Sequence, residues 1–232
     1  MLLLLLLAAD AAFVAVHLVH TYTPALPGAY NSLAQDRGHA EHFQYVKLYW
    51  LVILFAVLAV RERALPHAGW GALFAALLLD DALMVHERLG AAMADALALP
   101  SAGGLRPGDL GQAIVYFAAV ALLVTLLLPA SRRAAGSPAA ALSGALLPML
   151  GAFVAFGVLV DLAGTALRGS ALEGPLVMLE DGGEMVAVSL ILGVVFRAAQ
   201  PSWRAARAAD AVARRDGAAA RALESPAAAR SP

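Results

Sequence analysis

The sequence predicts an all-α integral membrane protein, a bundle of about six transmembrane helices. Three observations predict it. Hydrophobic residues are 61% of the 232 and charged residues 14%, with a mean hydropathy of +0.75; a typical soluble domain is about 25% charged. Apolar runs close to the ~20 residues that cross a bilayer recur along the chain. Most lysines and arginines fall on alternate connections between those runs. There is no cysteine, which excludes disulfides, thiolate metal sites and a cysteine nucleophile. Residues 1–200 read as the six-span bundle and 201–232 as a basic Ala/Arg-rich cytoplasmic tail, with a surface helix expected around Trp203–Arg221.

The first span covers about Leu2–Thr21; it lacks a basic leading region and reads as retained, not as a cleaved signal. The second, about Phe43–Val60, begins near Lys47, Tyr49 and Trp50, residues that suit a membrane interface. The third runs about Gly69–Leu89. The fourth, about Ala113–Leu128, is apolar apart from Tyr116 and Thr125 and reads as scaffold. The fifth, about Leu142–Ala166, contains Pro148, where a kink is expected. The sixth is about Pro175–Phe196, with proline at its start. The loop Tyr22–Ala40, with Pro24, Pro27 and Gly28, is expected to be irregular.

Orientation follows from the basic residues. Arg61, Arg63, Arg132, Arg133 and seven arginines from Arg197 onward fall on one side of a six-span chain. Only Arg37, Lys47, Arg88, Arg106 and Arg168 fall on the other. The positive-inside rule then puts both termini in the cytoplasm, in the cell's inner (plasma) membrane.

That orientation brings nearly all the intramembrane acids and histidines to the outer leaflet. The third span carries Asp80, Asp81, His86 and Glu87, and the sixth carries Glu180, Asp181 and Glu184. His17 and His20 close the first span, Asp10 lies deeper in it, and Asp161 lies near the end of the fifth. At ~100° per residue, Asp80 and Glu87 share a helix face, separated by about 10.5 Å of rise, so they cannot chelate one ion alone. His17/His20 and Glu180/Glu184 are spaced to present two ligands to one small site. Gly182-Gly183 permits close helix approach or a local distortion between those acids.

Eight carboxylates in or near spans, with no lysine or arginine placed deep in any of them, would cost on the order of 20 kcal/mol if central and ionised. Protonation, water or bound cations must offset that. Three readings remain open. The first is a divalent metal site (Zn, Fe or Mn) with His17, His20, Asp80, Glu87, Glu180 and Glu184 as ligands or acid/base groups. In it Asp10, Asp81, His86, Asp161 and Asp181 are supporting groups or alternative ligands, and the chemistry acts on a lipid-like molecule. The second is a proton or cation conduit, and the third a structural polar network. Nothing points to nucleic acid, and there is no Gly-x-Ser-x-Gly, His-Glu-x-x-His or phosphate loop. Oligomeric state is not encoded in any of these features.

The Asp80-Asp81-x4-His86-Glu87 run with the later Glu180-Asp181-Gly182-x-Glu184 run resembles a scattered group of uncharacterised bacterial multi-pass membrane proteins. That likeness covers two of the six spans and implies no activity. Leu79-Asp80-Asp81-Ala82-Leu83-Met84 is fainter in its likeness to the membrane ceramidase-type hydrolases, which would imply acids and histidines around a zinc. The chain has no histidine after His86 to match the later pair of that family.

Overall fold

The computed structural model describes residues 1–201, without the side chains of 123, 124, 126–131 and 133. The expected tail, 201–232, lies outside the described residues apart from Pro201. Among the described residues eight α-helices follow in order: α1 (Leu2–Tyr22), α2 (His39–Glu62), α3 (Leu65–Leu83), α4 (Val85–Ala96), α5 (Pro107–Arg133), α6 (Pro138–Val154), α7 (Asp161–Ala166) and α8 (Glu173–Ala199). A π-helical stretch, Ala155–Val160, joins α6 to α7, so 138–166 runs as one rod. The chain is all-helical, with no strand among the described residues.

Four rods are long and apolar enough to cross a membrane: α1, α2, Pro138–Ala166 and α8. The pair α3–α4 makes a fifth if it counts as one broken span. The continuous third span expected over about Gly69–Leu89 is therefore corrected. Met84 adopts a left-handed backbone, φ 54°, and the axis turns by 76° there. A side chain with a Cβ enters that region at a cost, so surrounding contacts must hold it. They include the Met84 N–H donating to carbonyls one turn back, which closes α3. The shorter apolar stretch Pro107–Leu122 opens α5.

The buried face of α2 repeats at helical spacing: Ala40, Gln44, Lys47, Leu48, Leu51, Phe55 and Leu58. Its apolar part meets Trp70 and Phe74 of α3, Leu142, Leu146 and Leu150 of α6, and Val188, Ile191, Leu192 and Val195 of α8. Phe55, Trp70 and Phe74 stack with centroids 5.8–6.3 Å apart. Where helices pack in lipid, close packing and buried hydrogen bonds supply the cohesion that water-driven burial supplies in water. The Trp70 indole N–H accordingly donates to Ser143 Oγ at 2.9 Å, tying α3 to α6. This apolar block fills one part of the bundle; an acidic group of side chains collects at one end of it.

Candidate functional site

The start of α2, the α3–α4 corner, the starts of α5 and α8, and the end of the 138–166 rod converge around a cavity of about 560 Å³. That volume falls in the range that holds small ligands. Its walls carry Asp81, Glu87, Asp161, Glu180, Asp181 and Glu184, along with Glu41, Gln44, His86, Tyr116, Arg106 and Arg168.

The corner at Met84 decides what the third acidic run can do. Because the helix breaks there, Asp80 and Glu87 do not lie along one continuous face as expected. Asp80 instead caps the new helix: its Oδ1 accepts the His86 N–H at 2.7 Å, and its Oδ2 lies 3.1 Å from His86 Nδ1. Asp80, Asp81 and His86 each offer a ligand atom within 4.8 Å of the others, and all three side chains are half-buried. The His86 ring stacks on Tyr116 at 5.1 Å. With Nδ1 held by Asp80, Nε2 is the imidazole nitrogen left for a ligand.

The opposite wall comes from α8 and the π stretch. Gly157 lies in that stretch, where a Cβ would overlap the Glu184 carboxylate. A Cβ on Gly183 would run into the Phe156 ring. The two helices thus interlock, glycine against side chain on each side. The close approach that Gly182-Gly183 permits occurs at Gly183, and the distortion falls on the partner rod, seven residues past Pro148. A π stretch widens the helix by one residue per turn and is frequent at functional sites.

The carboxylates of Asp81, Glu87, Glu180, Asp181 and Glu184 have no hydrogen-bond partner among the described residues. Asp161 receives one from Thr165 at 3.5 Å. Arg106 is engaged by Asp109, its Nη2 and Nε at 2.9 and 3.2 Å. That hydrogen bond raises the guanidinium above its ordinary pKa, and the Asp109 carboxylate offsets its positive charge at the cavity rim. Glu41 accepts from the Tyr45 hydroxyl and the Arg37 N–H. Deeper in the wall, Gln44 is 6% exposed, and neither its amide nitrogen nor its oxygen has a partner.

The predicted site residues therefore divide. Asp81, His86, Glu87, Asp161, Glu180, Asp181 and Glu184 meet at the cavity, and Asp80 stands behind His86. His17 and His20 do not line it. His17 Nδ1 accepts the Leu33 N–H at 3.1 Å, which puts the ring proton on Nε2 and leaves no lone pair for a metal. His20 Nδ1–H donates to the Leu26 carbonyl at 2.6 Å. Both rings fasten the irregular loop to α1.

Asp10 also lies elsewhere, and here the expectation that no lysine sits deep in a span is corrected. Lys47 is fully buried. Its Nζ donates to Asp10 Oδ1 and the Met185 carbonyl at 2.9 Å, and to Ser189 Oγ at 3.2 Å. Ser189 donates in turn to Asp10 Oδ2 at 2.6 Å. Three ammonium protons meet three acceptors, joining α1, α2 and α8. Lys47 and Gln44 were legible as buried: both fall on the 40–44–47–51–55–58 stripe of α2, a signal stronger than proximity to Tyr49 and Trp50.

Residues 1–198 match the family model described as Domain of unknown function (DUF8692), and the chain belongs to that family. No curated protein and no solved structure matches it.

Proposed function

We propose that this family member is a six-span protein of the inner (plasma) membrane, both termini cytoplasmic, whose end cavity binds a divalent cation from the outer side. The single observation that carries the reading is the Asp80–Asp81–His86 group, its ligand atoms within 4.8 Å, with Asp81 and His86 in the wall of a cavity where Glu87, Glu180, Asp181 and Glu184 lack partners among the described residues. An imidazole with carboxylates suits zinc, manganese or iron. In this reading Asp81 and His86 hold the ion, and Asp80 orients the imidazole. Asp80 also offers a carboxylate oxygen if the ion draws it in. Glu180, Asp181 and Glu184 supply the surrounding negative charge that a cation relieves. The cavity leaves room beside the ion for a small molecule.

Orientation draws support from the same geometry. Arg37, Arg88, Arg106 and Arg168 lie toward the cavity end, and Arg61, Arg63, Arg132, Arg133 and Arg197 toward the opposite helix ends. Counting α3–α4 and α5 as one span each brings the four long rods to six. A site open at one end is favoured over a conduit because the acids of the cavity end at the closed network of Asp10, Lys47 and Ser189. Beyond them lies the apolar block of Leu51, Phe55, Trp70 and Ile191.

The test is elemental analysis of protein purified without chelator and re-equilibrated with zinc, manganese or iron(II). Wild type is expected to carry one of them stoichiometrically, and His86→Ala and Asp81→Asn to lose it. Wild type without stoichiometric metal under any of the three conditions contradicts the proposal.

A further inference from the structure

Gln44 marks a second feature of the cavity that the metal group does not explain. It lies on α2, away from the α3–α4 corner, and is 6% exposed. Its Oε1 and Nε2 both lack partners among the described residues. Leaving one buried polar group unsatisfied costs about 1–3 kcal/mol, and an amide with both ends vacant doubles the reason to expect an occupant. A metal ion answers only the oxygen. An ammonium alone also answers only the oxygen, because it has no lone pair for the Nε2 protons. The complement of a primary amide both donates and accepts, as a hydroxyl does.

The charge around Gln44 adds a second requirement. Glu184 and Asp181 share the cavity wall with it and have no hydrogen-bond or ion-pair partner among the described residues. Lys47, one turn further along α2, reaches Glu184 only through its charge, because Asp10, the Met185 carbonyl and Ser189 take its three protons. A cation is one of the offsets such acids call for, so an occupant that carries positive charge as well as a hydroxyl answers both features of this wall.

We infer that the inner part of the cavity is a binding site for a small hydroxylated organic ammonium ion. Its ammonium faces Glu184 and Asp181, and its hydroxyl exchanges hydrogen bonds with the Gln44 amide. The inference shares the cavity with the metal reading but does not depend on a metal being bound. The two fail separately: one is read by metal content, the other by organic binding in chelator-treated protein.

Three probes on the same three-carbon skeleton separate the terms. Serinol carries an ammonium and two hydroxyls, isopropylammonium keeps the charge without hydroxyls, and glycerol keeps hydroxyls without the charge. In calorimetric titration of full-length, detergent-solubilised, metal-free protein, serinol is expected to bind about tenfold tighter than either of the others, the worth of one well-made buried hydrogen bond or charge contact. Gln44→Leu is expected to collapse the serinol-to-isopropylammonium ratio toward one while leaving the serinol-to-glycerol ratio. Glu184→Gln is expected to do the reverse. Gln44→Leu removes a polar group and Glu184→Gln removes a charge, neither adding bulk, and a retained thermal transition shows that each is folded. Should one not fold, the other ratio still decides. Serinol binding no tighter than its two analogues, no binding by any probe, or ratios untouched by both substitutions overturns the inference and leaves the cavity to water or metal alone.

Discussion

Two polar regions lie within a helical turn of each other on α2, and they are built to opposite rules. Around Lys47 every proton has an acceptor: Asp10, Ser189 and the Met185 carbonyl close the network inside the bundle. Around Gln44 and the cavity, an amide and five carboxylates have no partner among the described residues. Both regions are buried polar chemistry in an apolar chain. The first is complete in the protein alone and holds three helices in register. The second is not complete in the protein alone, which is the ground for proposing it as the binding region. Satisfaction of hydrogen bonds, more than the number of charges, separates the two.

The comparison breaks most sharply at Lys47. Lys47→Met leaves Asp10 buried and unpaired and is expected to destabilise the fold by about 3–5 kcal/mol. Adding Asp10→Leu should recover most of that loss, because an apolar pair can replace a buried ion pair at little cost. Equilibrium unfolding in mixed detergent reads both numbers; a mild single-substitution effect would make the network dispensable.

Gly157→Ala is the next largest. Its methyl meets the Glu184 carboxylate, which must move or force the π stretch apart, at a cost of about 1–3 kcal/mol. Cation affinity should fall with stability, a joint loss that titration and unfolding would detect together.

Cavity acids should behave in the opposite sense to Lys47. Without added cation, Glu184→Gln or Asp181→Asn removes one of several neighbouring negative charges and is expected to raise stability by about 1 kcal/mol. The same variants should bind divalent cations more weakly. A destabilised Glu184→Gln would instead place Glu184 in a structural network.

The smallest effect belongs to His20→Ala, which gives up one loop hydrogen bond worth about 1 kcal/mol or less. Its cation affinity should match wild type. A clear loss of metal in this variant would restore His20 to the ligand set that the sequence suggested.

Hydropathy made a bundle of long apolar helices legible, and α1, α2, α8 and the 138–166 rod, each long and apolar enough to cross a membrane, fall close to where the apolar runs place them. The clustering of the third- and sixth-span acids at one end was also readable, because alternate spans run in opposite directions and the acids sit at matching depths. The break at Met84 was not readable. No proline or glycine marks it, and what holds it is Asp80 turning back to cap the helix that carries His86, a contact defined only after the chain has turned. For His17 and His20, spacing showed which face they share but could not show that the following loop folds back onto them. Lys47 was misplaced for a different reason: its aromatic neighbours Tyr49 and Trp50 point away from the core, 55% and 41% exposed, while the helical stripe carries Lys47 inward.

The central claim is that the incomplete region, and not the complete one, takes a cation. Thermal unfolding with and without saturating divalent cation tests it directly, since a ligand bound only to the folded state at ~100 times its Kd adds about 2.7 kcal/mol. The account predicts a clear rise in Tm for wild type, a rise of the same size for the Asp10→Leu/Lys47→Met pair, and none for Asp81→Asn/His86→Ala. No rise in wild type, or an equal rise in the Asp81→Asn/His86→Ala variant, would contradict it.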